Sequence, residues 1–123
     1  GATAIPALGI VIEAKIYKTK PVALLPDTAL FDQDSLAWPI YVRTRLPGDR
    51  FWPKGMTGSK KLKEFFIDLK IPRLDRDRIP IFVSGDQIIW VGGYRQSECG
   101  KITDSTKNFL QLTIIRQEEQ SGD

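Results

Sequence analysis

The chain has 123 residues, enough for one compact core and too few for two ordinary domains. Apolar residues make up 41%, charged residues 27% and the net charge is +3, the profile of a soluble globular domain and not of a disordered tail or a bilayer-spanning segment. Histidine is absent and Cys99 is the one cysteine, which excludes Ser-His-Asp and Cys-His catalysis, an internal disulfide and a zinc site within the chain.

Leu8 to Ile16 alternates apolar and other residues, the period of a strand with one buried face. Lys20-Pro21 and Pro26-Asp27 punctuate the next stretch, leaving Val22–Leu25 a short strand or extended segment at best. Ala29–Asp32 reads as a short strand and Asp34–Trp38 as a turn or single helical turn. Ile40 to Arg45 alternates again, so Arg43 and Arg45 project from one face of a strand. Leu46-Pro47-Gly48-Asp49-Arg50 is a turn. Ser59 then stands where a helix cap is expected, and Leu62, Phe65, Phe66 and Leu69 form the apolar stripe of an amphipathic helix that Pro72 ends. Lys60 and Glu64 are spaced as a helical ion pair.

Arg73–Arg78 is a short, charge-dense second helix. Ile81–Val83 and Ile88–Val91 flank Ser84-Gly85-Asp86-Gln87 as a hairpin. Gly92-Gly93 marks a bulge or a close backbone approach. Ser97–Lys107 is loop, and Phe109–Ile115 a last strand with Leu110, Leu112 and Ile114 on one face. The fold class is α+β: short, mostly antiparallel strands with one long amphipathic helix and one short helix. One domain spans 1–123, with flexible ends at 1–4 and 117–123.

Charge is unevenly placed. Residues 43–78 hold 11 basic and 5 acidic groups, a net of +6, between flanks of −1 and −2. A basic middle third is the electrostatic footprint of a phosphate-rich partner. Gly55-Met56-Thr57-Gly58-Ser59-Lys60-Lys61 lacks the spacing of a nucleotide-binding loop. Backbone N–H groups at the helix start, with Lys60 and Lys61, still suit a nucleic-acid phosphate. Asp49, Asp68, Asp75, Asp77 and Asp86 each lie beside a basic residue or in a turn, where surface structure explains them. Of the tryptophans, Trp90 belongs in the core. Trp52, between Arg50 and Lys54, is the one placed to stack on a base.

Together, Arg43-x-Arg45-x-x-Gly48-Asp49-Arg50-Phe51, Gly55-x-x-Gly58-Ser59-Lys60-Lys61-Leu62 and Asp77-Arg78-Ile79-Pro80, followed by Ile88 to Arg95, resemble the C-terminal domain of bacterial tRNA(Ile)-lysidine synthetases. The resemblance is good over 29–97 and looser elsewhere. It implies a layered domain with a β-sandwich, similar to one in the phenylalanyl-tRNA synthetase beta chain. It also implies a parent ligase that uses ATP, with magnesium, to attach lysine to the first anticodon cytidine of a minor isoleucine tRNA. That family's Ser-Gly-Gly-x-Asp-Ser loop is missing here, so this chain is expected to hold no cofactor and to be inactive alone. The implied role is a grip on the acceptor arm of that tRNA, remote from the reacting base.

Arg43, Arg45, Arg50, Trp52, Lys54, Lys60, Lys61, Lys63 and Arg95 are the candidate tRNA-binding residues. The expected partners are tRNA and the N-terminal catalytic domain, in the cytoplasm and away from membranes. A packing module, or a homodimer through exposed strand edges, is the alternative.

Overall fold

The chain runs β1 (Ala2–Ile5), β2 (Ile10–Tyr17), β3 (Thr28–Asp32), β4 (Ile40–Arg43), β5 (Arg50–Phe51), β6 (Lys60–Lys61), α1 (Leu62–Asp68), α2 (Arg73–Arg76), β7 (Ile81–Ser84), β8 (Gln87–Val91), β9 (Arg95–Gln96) and β10 (Phe109–Arg116). The computed structural model describes residues 1–22 and 25–117. The expected Val22–Leu25 segment and the 117–123 tail fall partly outside that range. Two four-stranded antiparallel sheets form, in the orders β1-β2-β10-β3 and β4-β7-β8-β9, with β5 and β6 as a separate ribbon.

The two sheets face one another across a core of Phe31, Phe82, Ile89, Trp90, Leu110 and Leu112, with Ile10, Ile12 and Ile114 beside them. Phe82 and Trp90 stack with ring centroids 4.6 Å apart. The second sheet is apolar on its other face too. There Ile81, Val83, Ile88 and Val91 meet Leu62, Phe65 and Phe66 of α1 in a second core. Burial on both faces is why β7 and β8 read as nearly unbroken apolar runs instead of alternating ones. A register shift opposite Phe82–Val83 leaves Ile89 as an extra residue, so Ile89 and Trp90 both reach the first core. The result is three layers, sheet, sheet and helix, as the α+β reading requires.

Gly85, at φ +60°, closes the β7–β8 hairpin over two residues, a conformation glycine takes without steric cost. Gly92 is a close approach: a Cβ there would stand 2.7 Å from Pro80 Cγ and 2.9 Å from the Pro80 carbonyl oxygen.

Several boundaries differ from those read in the sequence. Residues 1–4, expected to be a flexible end, contribute β1, paired with β2 from Ala2 opposite Glu13 to Ile5 opposite Ile10. β4 stops at Arg43, because its partner β7 begins at Ile81 opposite it. The helix begins at Leu62, since Lys60 and Lys61 pair as a strand with Phe51 and Arg50. Ser59 therefore caps nothing, and Lys60 pairs with Asp68 instead of Glu64.

The helix also ends early. Leu69 is its C-cap, Lys70 takes φ +56°, and the N–H groups of Ile71 and Lys70 return to the carbonyls of Phe66 and Ile67. That is a Schellman stop without its usual glycine. It turns Leu69 outward, 48% exposed, and sends Ile71 into the core in its place. Lys70→Gly is expected to stabilise the domain by about 0.5–1 kcal/mol, because the left-handed backbone strains lysine and not glycine. A raised urea midpoint at unchanged m-value is the reading that checks it.

Candidate nucleic-acid interface

Asp49 organises the basic region. Its carboxylate accepts both terminal N–H groups of the Arg43 guanidinium at 2.9 Å and the Leu46 N–H at 2.7 Å. Its own N–H returns to the Leu46 carbonyl at 3.2 Å, and its carbonyl accepts the Leu62 N–H at 2.9 Å. One aspartate thus closes the 46–49 turn, ties it to the end of β4 and fixes the start of α1. The carboxylate is 12% exposed and the guanidinium 23%. The bond to Asp49 raises the Arg43 pKa against the cost of burial. Burial pushes the Asp49 pKa up, but the hydrogen bonds from Arg43 and Leu46 outweigh it and hold the group below the usual carboxylate value.

Around this frame lies a cleft of about 660 Å³, walled by the 45–50 turn, the Lys61–Lys63 segment and α2. Arg45, Arg50, Lys61, Lys63, Arg73 and Arg76 line it with Asp49 and Asp77, six cations against two anions for a net of +4. Both anions are already engaged, Asp49 by Arg43 and Asp77 by Arg45 at 2.8 Å. Arg76 also donates to the Ile71 carbonyl at 2.9 Å, which holds α2 against the end of the helix layer. In the β5–β6 ribbon Arg50 stands directly opposite Lys61, and both are exposed. Like charges in that relation repel, typically by 0.2–1 kcal/mol in about this setting. Here the fold holds the two cations side by side.

The structure divides the residues chosen from sequence. Arg45, Arg50, Lys61 and Lys63 meet in the cleft. Arg43 lies behind it, bound to Asp49. Lys60 points to Asp68. Trp52, Lys54 and Arg95 form a separate group: the Arg95 guanidinium donates to the Lys54 carbonyl at 2.6 Å, and the half-exposed Trp52 indole donates to the Met56 carbonyl. The Leu62 N–H, taken by Asp49, is not free for a phosphate, and α1 has only seven residues. What remains for an anion at this point is the side chains of Lys61 and Lys63.

A family model described as the TilS substrate C-terminal domain matches residues 40–112, which include every wall of the cleft. The chain belongs to the TilS C-terminal domain family. It is 43% identical to the tRNA(Ile)-lysidine synthase of Symbiobacterium thermophilum over 99% of its own length and 26% of that protein. It is 49% identical to that of Caldanaerobacter subterraneus subsp. tengcongensis over 71% of itself and 19% of that protein. The chain therefore spans about a quarter or less of these relatives. A crystal structure of a TilS C-terminal domain superposes with a TM-score of 0.83 at 33% identity, covering 97% of this chain and 92% of that one. An N-terminal fragment of the Pyrococcus horikoshii phenylalanyl-tRNA synthetase beta-subunit shares the fold, with a TM-score of 0.62 at 22% identity over 71% of this chain and 27% of that one.

Within this TilS domain, Arg73 and Arg76 are cleft residues that the sequence reading did not select. Their only signal was a dense run of charges just after Pro72. Cys99 is half-buried against the first core, and burial together with the nearby Asp86 charge raises its pKa, which disfavours a reactive thiolate. Among the described residues no group of three or more His, Cys, Asp or Glu side chains is placed to hold a metal ion. No helix among them is long and apolar enough to cross a membrane.

Asp49 makes a pH prediction. A group whose pKa is lowered on folding contributes stability above its unfolded value, near 3.8, and loses it as pH falls through the folded value. Asp49→Asn should therefore cost about 1–3 kcal/mol at pH 7, the worth of hydrogen bonds to a charged group. Urea midpoints of the two proteins should begin to converge as pH falls below about 4 and meet only below the folded value.

Proposed function

We propose that this domain grips the acceptor arm of a tRNA on behalf of a tRNA(Ile)-lysidine synthase. The observation that carries this reading is the cleft in which Arg50 and Lys61 are paired across a ribbon with Lys63, Arg73 and Arg76 around them. A net charge of +4 whose anions are already occupied attracts phosphates. Duplex RNA offers them in a rigid A-form array that is read by shape and backbone contacts. Arg43 takes no part in contact on this reading and acts as a positioning residue through Asp49. Trp52, Lys54 and Arg95 form a group apart from the cleft, and Lys60 is held by Asp68.

In the parent enzyme the substrate would be a minor isoleucine tRNA, the reaction an ATP-dependent attachment of lysine to the anticodon, and the setting the cytoplasm. Within the cleft both carboxylates are bound by arginines, Asp49 by Arg43 and Asp77 by Arg45, and on this reading the ATP and magnesium of the reaction belong to the parent enzyme's catalytic domain. The domain contributes affinity and tRNA choice, fixing the anticodon in a distant active site by proximity. Hydroxyl-radical footprinting of the tRNA on the full-length synthase tests this. Protection of acceptor-arm phosphates that disappears when the cleft cations are removed is expected; protection confined to the anticodon arm would refute it.

The apposed Arg50 and Lys61 make a further prediction. Lys61→Thr should relieve repulsion and stabilise the free protein by a few tenths of a kcal/mol, about 0.2–0.5. The same change should flatten the salt dependence of tRNA binding by about 0.7–0.9 log units per log unit of salt. Thermal melts and titrations at two salt concentrations read the two effects separately, and opposite signs are expected.

A further inference from the structure

Along β5 and just beyond it, side chains alternate out and in: Arg50 is exposed, Phe51 buried, Trp52 exposed and Pro53 fully buried. Trp52 therefore stands on the same side of the chain as Arg50, about 7 Å further along. The ribbon pairs Arg50 with Lys61 and Phe51 with Lys60, and one more step of that register puts Ser59 across from Trp52. Arg50 Nε donates to Ser59 Oγ at 3.2 Å. The guanidinium thus leans along the ribbon, from the cleft toward the tryptophan.

Trp52 is held in place. Its carbonyl accepts the Glu98 N–H at 2.7 Å, and the Lys54 N–H goes to the Gln96 carbonyl at 3.0 Å. Arg95 clamps the same turn through its guanidinium, on the Lys54 carbonyl. The indole N–H is bound by the Met56 carbonyl, yet the residue is 48% exposed. With that N–H satisfied, what the ring offers a partner is apolar π surface. The Glu98 carboxylate beside these cations is kept on Lys101 at 2.9 Å. A fixed, half-exposed tryptophan between Arg50 and Lys54 combines the two parts of a single-strand site, a stacking surface and cations for the backbone.

We infer that the unpaired 3′ end of the bound tRNA stacks a base on Trp52, with Arg50 on the backbone where duplex gives way to single strand. The inference rests on the acceptor-arm reading and extends it, since an acceptor arm is a duplex that ends in unpaired nucleotides. Bases inside a duplex are already stacked on one another, whereas those of a single-stranded end are open to an aromatic side chain. The domain then registers where the arm ends as well as gripping its phosphates.

Titrations of the full-length synthase with intact minor isoleucine tRNA, and with the same tRNA trimmed of its unpaired 3′ nucleotides, test this. Trp52→Ala is expected to weaken binding of the intact tRNA about 5- to 10-fold and to leave binding of the trimmed one unchanged. The salt slope should stay as it is, because no charge is lost. Trp52→Phe, which keeps a stacking ring and loses the N–H, should bind within about twofold of wild type. Equal weakening with both RNAs, as a loosened loop would give, would overturn the inference. So would a Trp52→Phe variant as weak as Trp52→Ala, or no loss at all, with or without the earlier melting that a lost protein contact would cause. Lys61→Thr checks the reading beneath: a flatter salt slope is expected with both RNAs, and no flattening with either would sink the cleft and this inference together.

Discussion

A synthase in which Arg50, Lys61, Lys63 and Arg73 are all replaced by alanine is expected to bind tRNA about 100-fold more weakly at physiological salt. The slope of log affinity against log salt should flatten by about 3 units, the sum of four lost phosphate contacts. None of the four is buried, so the cores beneath them are untouched and the folded state should survive. Arg43→Ala offers the contrast. It removes an equal charge, but one that sits behind the cleft against Asp49, so its effect should appear first as lost stability. An affinity loss from Arg43→Ala with stability unchanged would make Arg43 a contact residue after all.

Phe66→Ala is expected to destabilise the domain by about 3–5 kcal/mol, the cost of deleting a fully buried aromatic ring. Phe66 has no exposed surface and packs between α1 and the second sheet, beside Phe65. A loss of that size is a large share of the ~5–15 kcal/mol that holds a typical domain together. Leu69→Ala, three residues on and part of the same apolar stripe in the sequence, should cost within about 0.5 kcal/mol. Urea denaturation of both variants separates a helix that stops at Asp68 from one that continues. Equal losses would mean that Leu69 is packed.

Local patterns account for most of the fold that was legible in advance. The β7–β8 hairpin combines two apolar runs with a two-residue turn, and β2 and β10 alternate over eight residues each. These signals lie within a few residues of one another. Two of the places where the reading slipped depend on contacts that are far apart in sequence or on an unusual residue. Lys70 stops α1 where glycine would have announced the stop. Lys60 and Lys61 are strand because Phe51 and Arg50, ten residues earlier, lie beside them.

The same holds for the cleft. Arg50, Lys61 and Lys63 were legible as cations near a turn and a helix start. Arg43 was not legible as a structural residue, because its partner Asp49 is brought back to it only when the 46–49 turn closes. Arg73 and Arg76 join the wall through the docking of α2, which Arg76 itself secures on the Ile71 carbonyl. Charge count located the basic third of the chain; only the tertiary structure sorts its cations into those held by aspartates and those that face the cleft.

The most direct test of the acceptor-arm grip is a thermodynamic cycle on the full-length synthase. Wild-type protein and the four-alanine variant are each titrated with intact minor isoleucine tRNA and with the same tRNA lacking its acceptor arm. If the cleft holds that arm, each change alone weakens binding by about 100-fold and the two together cost no more than either one. Losses that multiply would mean that the cleft and the acceptor arm act independently, and would contradict the account.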